Sequence, residues 1–145
     1  MLSKKCKYAL KALEYISKNQ ERGPILISEI SEKQRIPKKF LEVILLEMKR
    51  DGILQSKMGK SGGYFLIKKP SEINVGHIIR LIDGPIALLP CVSYKFYQPC
   101  DECEDEATCG LRDVMAQLRE ATGKILGKVS MAEILKREKK LKKGA

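Results

Sequence analysis

The sequence predicts a mostly α-helical protein that contains one small β-hairpin. Apolar residues recur at intervals of three and four in several segments, which is the spacing of one face of a helix. A glycine-rich turn separates two short apolar runs, as in a hairpin. The chain has 145 residues, of which 43% are hydrophobic and 32% charged. This length and composition predict one domain with a packed core, or a small domain with an appendage.

Three helical segments come first. Residues 4–19 have helical spacing and end at Gly23-Pro24, and a short second segment runs to about Arg35, with Ser28 expected to cap its start. The third follows Pro37, which suits a helix start, and carries a broad apolar stripe of Phe40, Leu41, Ile44, Leu45 and Met48. Two short helices behind a longer one outline a helix-turn-helix.

A hairpin follows the third helix directly. Runs 53–58 and 64–68 flank the turn Gly59-Lys60-Ser61-Gly62-Gly63. Behind a helix-turn-helix, such a hairpin is a wing. Asn74 is expected to cap a fourth helix that ends at Asp83-Gly84. Residues 1–84 are therefore predicted to form a winged helix-turn-helix DNA-binding domain, called the head below.

The second half divides into a cysteine-rich loop, residues 85–110, and a helical region, residues 111–145, in which Ser130 caps a last helix with a basic tail. The long helix before it has apolar residues in steps of 3, 4, 3 and 4, namely Leu111, Val114, Leu118, Ala121 and Ile125. Such a seam packs on another helix. Pairing with a second copy and packing on the chain's own domain both explain it.

The net charge of +10 is concentrated in the head. Residues 1–70 hold 16 Lys or Arg and 7 Asp or Glu, whereas residues 71–145 hold 12 and 11. This charge favours a polyanionic partner. Because no segment has the basic face and bulky aromatic face of a membrane-surface anchor, double-stranded DNA is preferred.

No stretch reaches the ~18 apolar residues of a spanning helix or looks like a signal peptide, which predicts a cytoplasmic protein.

Several polar residues are candidates for the DNA contact. Lys38 and Lys39 lie in the first turn of the third helix, where the helix dipole disfavours cations unless a phosphate or guanine edge lies opposite. Glu42, one turn on, could accept a hydrogen bond from cytosine. The full set of candidates, with those of the second helix and the wing, is Ser28, Lys38, Lys39, Glu42, Lys57, Lys60 and Ser61.

Four of the five cysteines form the pattern Cys91-x8-Cys100-x2-Cys103-x5-Cys109. Thiolates bind zinc and iron-sulfur clusters, and a single CxxC counts against zinc, which usually takes two. Free thiols or an incidental disulfide are the alternative. Cys6 lies apart and is expected to be a half-buried apolar residue.

No enzyme is expected. Acidic residues around Cys100 and Cys103 argue against a redox enzyme, and the sequence has no phosphate loop or Ser/His/Asp set.

Four segments together resemble the Rrf2 family of bacterial regulators, of the IscR, NsrR and CymR type: MLSKKCKYALKAL at 1–13, IPKKFLE at 36–42, GKSGGYFL at 59–66 and IDGP at 82–85, followed by spaced cysteines. The resemblance implies a homodimeric winged-helix transcription factor, usually a repressor that reads a palindromic operator. It also implies that the long helices of two copies cross and that the cysteine loop holds an iron-sulfur cluster, 2Fe-2S or 4Fe-4S, which senses iron, nitric oxide or redox state.

The family pattern assigns Cys91 and Cys109 as outer ligands and Cys100 or Cys103 as the middle one. Arg112 stands where some relatives have a histidine and Lys7 where others have an aspartate, so the extra cysteine becomes the candidate fourth ligand. Met58 replaces a wing arginine. Because CymR-type members lack a cluster and act through a protein partner, a cluster-free regulator or protein-binding module, with cysteines that bind zinc or form a thiol switch, is the alternative.

Overall fold

A computed structural model describes all 145 residues. The helices are α1 (Lys4–Lys18), α2 (Ile27–Gln34), α3 (Lys38–Arg50), α4 (Val75–Asp83), α5 (Gly110–Gly127) and α6 (Met131–Lys143), and the strands are β1 (Leu54–Lys57) and β2 (Gly63–Leu66). Short 3-10 turns connect them, two of which lie in the cysteine loop, at Pro90–Val92 and Glu106–Thr108. The predicted mostly α-helical fold with one hairpin is confirmed.

The core of the head lies between α1, α3 and α4. In α3 the predicted stripe is buried at Leu41, Ile44, Leu45 and Met48, with no exposed area. Phe40 differs, since 47% of it is exposed. Its ring meets that of Tyr8 edge to face, with 5.8 Å between centroids. Phe40 therefore belongs to the surface near the start of α3 and not to the core.

The start of α2 is set by backbone pairing. The helix begins at Ile27, Leu26 occupies the cap position without a side-chain hydrogen bond, and Ser28 is already inside the first turn. The predicted cap by Ser28 is therefore wrong. The backbone of Ile25 exchanges two hydrogen bonds with Tyr64 of the wing, at 2.9 and 2.8 Å. Because this bridge holds Ile25 in an extended conformation, the helix starts two residues later, at Ile27.

The wing is an antiparallel hairpin in which Leu54 pairs with Leu66 and Lys57 with Gly63. Gly63 has φ of +134°, and a Cβ at this position would lie 2.3 Å from the backbone carbonyl of Ile25. Only glycine fits here, because both the left-handed backbone and the close approach of Ile25 exclude a side chain. Gly63 thus allows the wing to join the segment that precedes α2.

A second junction joins α4 to the end of α5 and the start of α6. Asn74 and Ser130 form an antiparallel bridge, and each caps the helix that follows it, as predicted: the Asn74 side chain accepts from the amide of His77, and that of Ser130 from the amide of Glu133. α6 then packs on α1, where Lys18 pairs with Glu138.

The long helix α5 has no fully buried residue. Its inner side, with Met115, Thr122 and Leu126, is half-buried against the rest of the chain. The predicted seam is exposed instead, at Leu111, Val114, Leu118, Ala121 and Ile125. The periodicity therefore does not arise from packing within one chain. No helix of the chain is both long and apolar enough to cross a membrane.

Replacing Gly63 by alanine is expected to lower the free energy of unfolding by more than about 1 kcal/mol, because Ala is strained at positive φ and its methyl group meets the Ile25 backbone. Urea denaturation followed by circular dichroism measures the change. The control is Gly110→Ala, since a Cβ there has no neighbour within 4 Å. Equal stability of the two variants would contradict the proposed role of Gly63.

Candidate DNA-binding surface and cysteine loop

The start of α3 presents two adjacent lysines. Pro37 occupies the cap position without a side-chain hydrogen bond, so no side chain covers the amides of the first turn. Lys38 and Lys39 are exposed in that turn, and Glu42 is exposed one turn later. Residues three and four apart share one side of a helix. The start of α3 thus combines two cations, one carboxylate and open backbone amides on one surface.

The wing is held next to α3. Lys49, near the end of α3, donates from Nζ to the hydroxyl of Ser56 on β1, at 2.7 Å. Lys57 is the last residue of β1, and Lys60 and Ser61 lie in the turn between the strands. All three side chains are exposed, as is Ser28 on α2. The seven predicted DNA contacts are therefore all on the surface of the head.

The head's acidic residues are largely occupied elsewhere. Glu47 pairs with Lys5 at 2.6 Å. Glu29 pairs with Arg22 at 2.8 Å and accepts from the Tyr15 hydroxyl at 2.6 Å. These two partners, Arg22 foremost, lower the pKa of Glu29. The lysines at the start of α3 and on the wing have no such partner, so the head's positive charge is least compensated there.

Glu106 organises the cysteine loop. Its carboxylate accepts from the Tyr97 hydroxyl at 2.9 Å and from the backbone amide of Cys100 at 3.4 Å. It also lies 3.4 Å from Nε of Arg112, on the first turn of α5. In the sequence Glu106 is only one of five acidic residues between positions 101 and 106. No spacing signal marks its role, because its partners reach it through the path of the loop.

Two of the loop thiols lie together. The side chains of Cys103 and Cys109 lie close enough to shift each other's pKa. Burial first, and then Cys109, raises the pKa of Cys103, and Cys103 helps to lower the pKa of Cys109. The larger cause at Cys109 is the backbone amide of Arg112, which donates to its sulfur at 3.4 Å. Cys109 is thus the N-cap of α5. Cys100 is near enough for its charge to raise the pKa of Cys103.

Cys91 differs from these three in its burial. It is buried on the turn Pro90–Val92, which packs against α5. No three side chains of the types His, Cys, Asp and Glu lie close enough together to hold a metal ion. The loop therefore supplies thiol donors of the type that binds zinc or an iron-sulfur cluster, but no three of them converge in this structure. The assignment of all four as ligands stays a prediction.

Cys6 and His77 lie outside the cysteine loop. Cys6 is fully buried rather than half-buried. Burial, with a contribution from the charge of Asp83, raises its pKa to about 11. His77 is exposed at the start of α4, and its Nε2 lies 2.7 Å from Oδ2 of Asp51, the C-cap of α3. It therefore connects α4 to the end of α3.

A helix-turn-helix with a wing, whose exposed face carries uncompensated lysines, defines a winged-helix DNA-binding protein. The model of the Rrf2 family, described as iron-dependent transcriptional regulator, matches residues 2–137. The chain belongs to this family, and it is a transcriptional regulator of the winged-helix class. The resemblance found in the sequence is confirmed.

Individual relatives agree with this assignment. An rrf2-like helix-turn-helix regulator of Rhodobacter capsulatus is 46% identical over 121 residues, 81% of each chain. IscR of Escherichia coli O1:K1 is 31% identical over 140 residues, 97% of this chain and 83% of IscR. The structure of CymR, the global cysteine regulator of B. subtilis, superposes with a TM-score of 0.77 at 23% identity, over 94% of this chain and 97% of CymR. That likeness confirms the winged-helix fold.

Proposed function

We propose that the chain acts as a homodimeric repressor that reads a palindromic operator and is controlled through an iron-sulfur cluster in the cysteine loop. The observation that carries the DNA contact is the pair of exposed lysines on the uncapped first turn of α3, beside a wing with two further lysines. Positive side chains at a helix N-terminus cost a few tenths of a kcal/mol, because the helix dipole is positive there. Phosphates opposite them release counterions and more than offset this cost.

The surface also offers sequence discrimination. Glu42 lies one turn behind the lysines, where a carboxylate can accept from the amino group of cytosine in the major groove. Lys57, Lys60 and Ser61 on the wing suit the adjacent phosphates or the minor groove. α3 is thus the recognition helix, and the wing sets its register on the duplex.

The variant Lys38→Ala/Lys39→Ala is expected to bind operator DNA at least about tenfold more weakly at moderate salt. The slope of log affinity against log salt should fall by about 2, because each phosphate contact contributes about 0.9. Fluorescence anisotropy over a salt series measures both. Lys139→Ala/Lys140→Ala, two exposed lysines of α6, is the control of equal charge. Unchanged affinity and slope in the first variant would reject α3 as the reading helix.

The exposed seam of α5 supports the homodimer. Five small or apolar side chains from Leu111 to Ile125 follow one side of the helix over ~21 Å. An apolar stripe of this length packs on another helix, and a second copy provides a matching stripe through a two-fold axis. The same axis would present two recognition helices to two half-sites about one helical turn apart.

Leu118→Glu is expected to abolish the dimer, because a carboxylate at the centre of the seam loses its hydration without gaining a partner. The mass in solution, measured by light scattering, should fall to that of the 16.4 kDa monomer, with a loss of operator binding. Gln117→Glu introduces the same group on an exposed neighbouring position and should leave the dimer intact. A dimeric Leu118→Glu protein would contradict the assignment of the seam.

The cysteine loop supports the regulatory part. Cys91, Cys103 and Cys109, with Cys100 as the fourth, would hold the cluster, which when bound would supply a group sensitive to iron supply, oxidation or nitric oxide. Cys109 matters most, because its sulfur accepts from the Arg112 amide and caps α5. A ligand bond at this sulfur competes with the cap. The occupied and empty loops would therefore differ at the first turn of the dimer helix.

Anaerobic purification is expected to give a coloured protein with bound iron and sulfide. Cys109→Ser should lose the visible absorption, whereas Cys6→Ala, in the buried core away from the loop, should keep it. Absorption spectra and iron and sulfide analysis decide. A colourless protein that keeps only zinc after reconstitution with iron and sulfide would replace the sensor by a structural site. A metal-free protein would favour the thiol-switch alternative, which the proximity of Cys103 and Cys109 supports.

A further inference from the structure

A cavity of about 580 Å³ lies between α4, the first part of the cysteine loop and α5. Its size is within the range of pockets that bind small organic molecules. Neither the DNA-binding surface nor the loop cysteines contribute a side chain to it. Leu81, Pro85 and Ile86 give the lining an apolar part, to which Phe96 of the loop also contributes.

The rest of the lining is strongly cationic. Arg80, Lys95, Arg119 and Lys124 all contribute to it, against a single carboxylate, that of Glu120. Glu120 is already occupied, because it accepts from the Tyr94 hydroxyl and pairs with Arg119 at 2.8 Å. These contacts, the one from Tyr94 foremost, lower its pKa. The other three cations form no ion pair within the chain, although Lys124 lies near enough for its charge to help lower the pKa of Glu120. The lining therefore carries an excess of positive charge, which favours an anion.

Arg119 is fixed in the cavity wall. Its Nη1 donates to the backbone carbonyl of Val92, and its guanidinium carbon lies 4.0 Å from the centre of the Tyr94 ring. Its Nε is buried without a hydrogen-bond partner. A guanidinium held by a carbonyl and an aromatic face loses little freedom on binding, so the wall is arranged in advance.

The cavity and the proposed dimer seam use different sides of α5. A helix turns about 100° per residue, so Gly123 lies roughly 140° to 160° around the axis from Leu118 and Ile125. Arg119 is on the same side as Gly123, and both line the cavity. A partner helix on the seam therefore leaves the cavity open.

We propose that this cavity binds a small organic anion, a carboxylate on an apolar body. The carboxylate would lie among Arg80, Lys124 and Arg119, and the apolar body against Leu81, Ile86 and Phe96. One charged end and one apolar end match the two halves of the lining. The site is separate from the proposed cluster and from the DNA-binding surface.

The walls of the cavity belong to the parts that a regulator must coordinate. His77, also in the lining, contacts Asp51 at the end of α3, Arg119 belongs to α5, and Tyr94 to the cysteine loop. A bound anion is therefore expected to change operator affinity, an expectation that rests on the proposed DNA-binding function. Binding of the anion itself is measured without DNA, so failure of the site and failure of DNA binding are distinguishable.

Calorimetric titration of the full chain with octanoate, kept below its micelle-forming concentration, tests the site. Octanoate should bind, 1-octanol should bind at least about tenfold more weakly, and Arg80→Gln/Lys124→Gln should weaken octanoate by a similar factor, because the charge-assisted contacts are lost. Lys139→Gln/Lys140→Gln on α6 removes the same charge elsewhere and should leave the affinity unchanged. Absence of octanoate binding, equal binding of octanol, or an unchanged affinity in the cavity variant overturns the proposal.

Discussion

The bridge between Asn74 and Ser130 is the constraint on which the arrangement of the long helix depends. The amide of Val75 donates to Val129 and that of Met131 to Ile73, both at 2.9 Å. The Asn74 side chain also donates to the carbonyls of Leu126 and Gly127, at 3.1 and 3.0 Å. These carbonyls have no partner within their own helix, since they end it. One asparagine thus starts α4 and holds the end of α5 on the head.

The first turn of α5 has a weaker N-cap than the other capped helices. α1, α4 and α6 are capped by the oxygens of Ser3, Asn74 and Ser130, whereas α5 is capped by the sulfur of Cys109. Sulfur is a weak hydrogen-bond acceptor, and oxygen side chains are the preferred N-caps. Since α5 is about 27 Å long, the weaker cap at Cys109 lies far from the junction at Asn74 that holds its other end.

The sequence allowed prediction of those features that depend on near neighbours. The spacing of Leu41, Ile44 and Leu45 predicts a buried helix face, and the caps by Asn74 and Ser130 involve residues three positions away. The predicted helix cap by Ser28 was wrong because the start of α2 is set by a bridge between Ile25 and Tyr64, which lie 39 positions apart in the sequence. The predicted place of Phe40 in the buried stripe was wrong for a similar reason, since its ring contacts that of Tyr8, a residue of another helix, at the surface.

The candidate site divides in the same way. The lysines of α3 and the cysteine pattern can be recognised in the sequence because the residues that make up each motif are close together along the chain. The sequence does not reveal the roles of Glu106, Arg119 and Tyr94, because a loop without periodicity brings these residues to their partners. That loop contacts α5 at two places, through Arg112 near the thiols and through Arg119 near the cavity. A change of metal state and a bound anion would thus act on the same helix through separate arginines, so that neither signal needs the other's site.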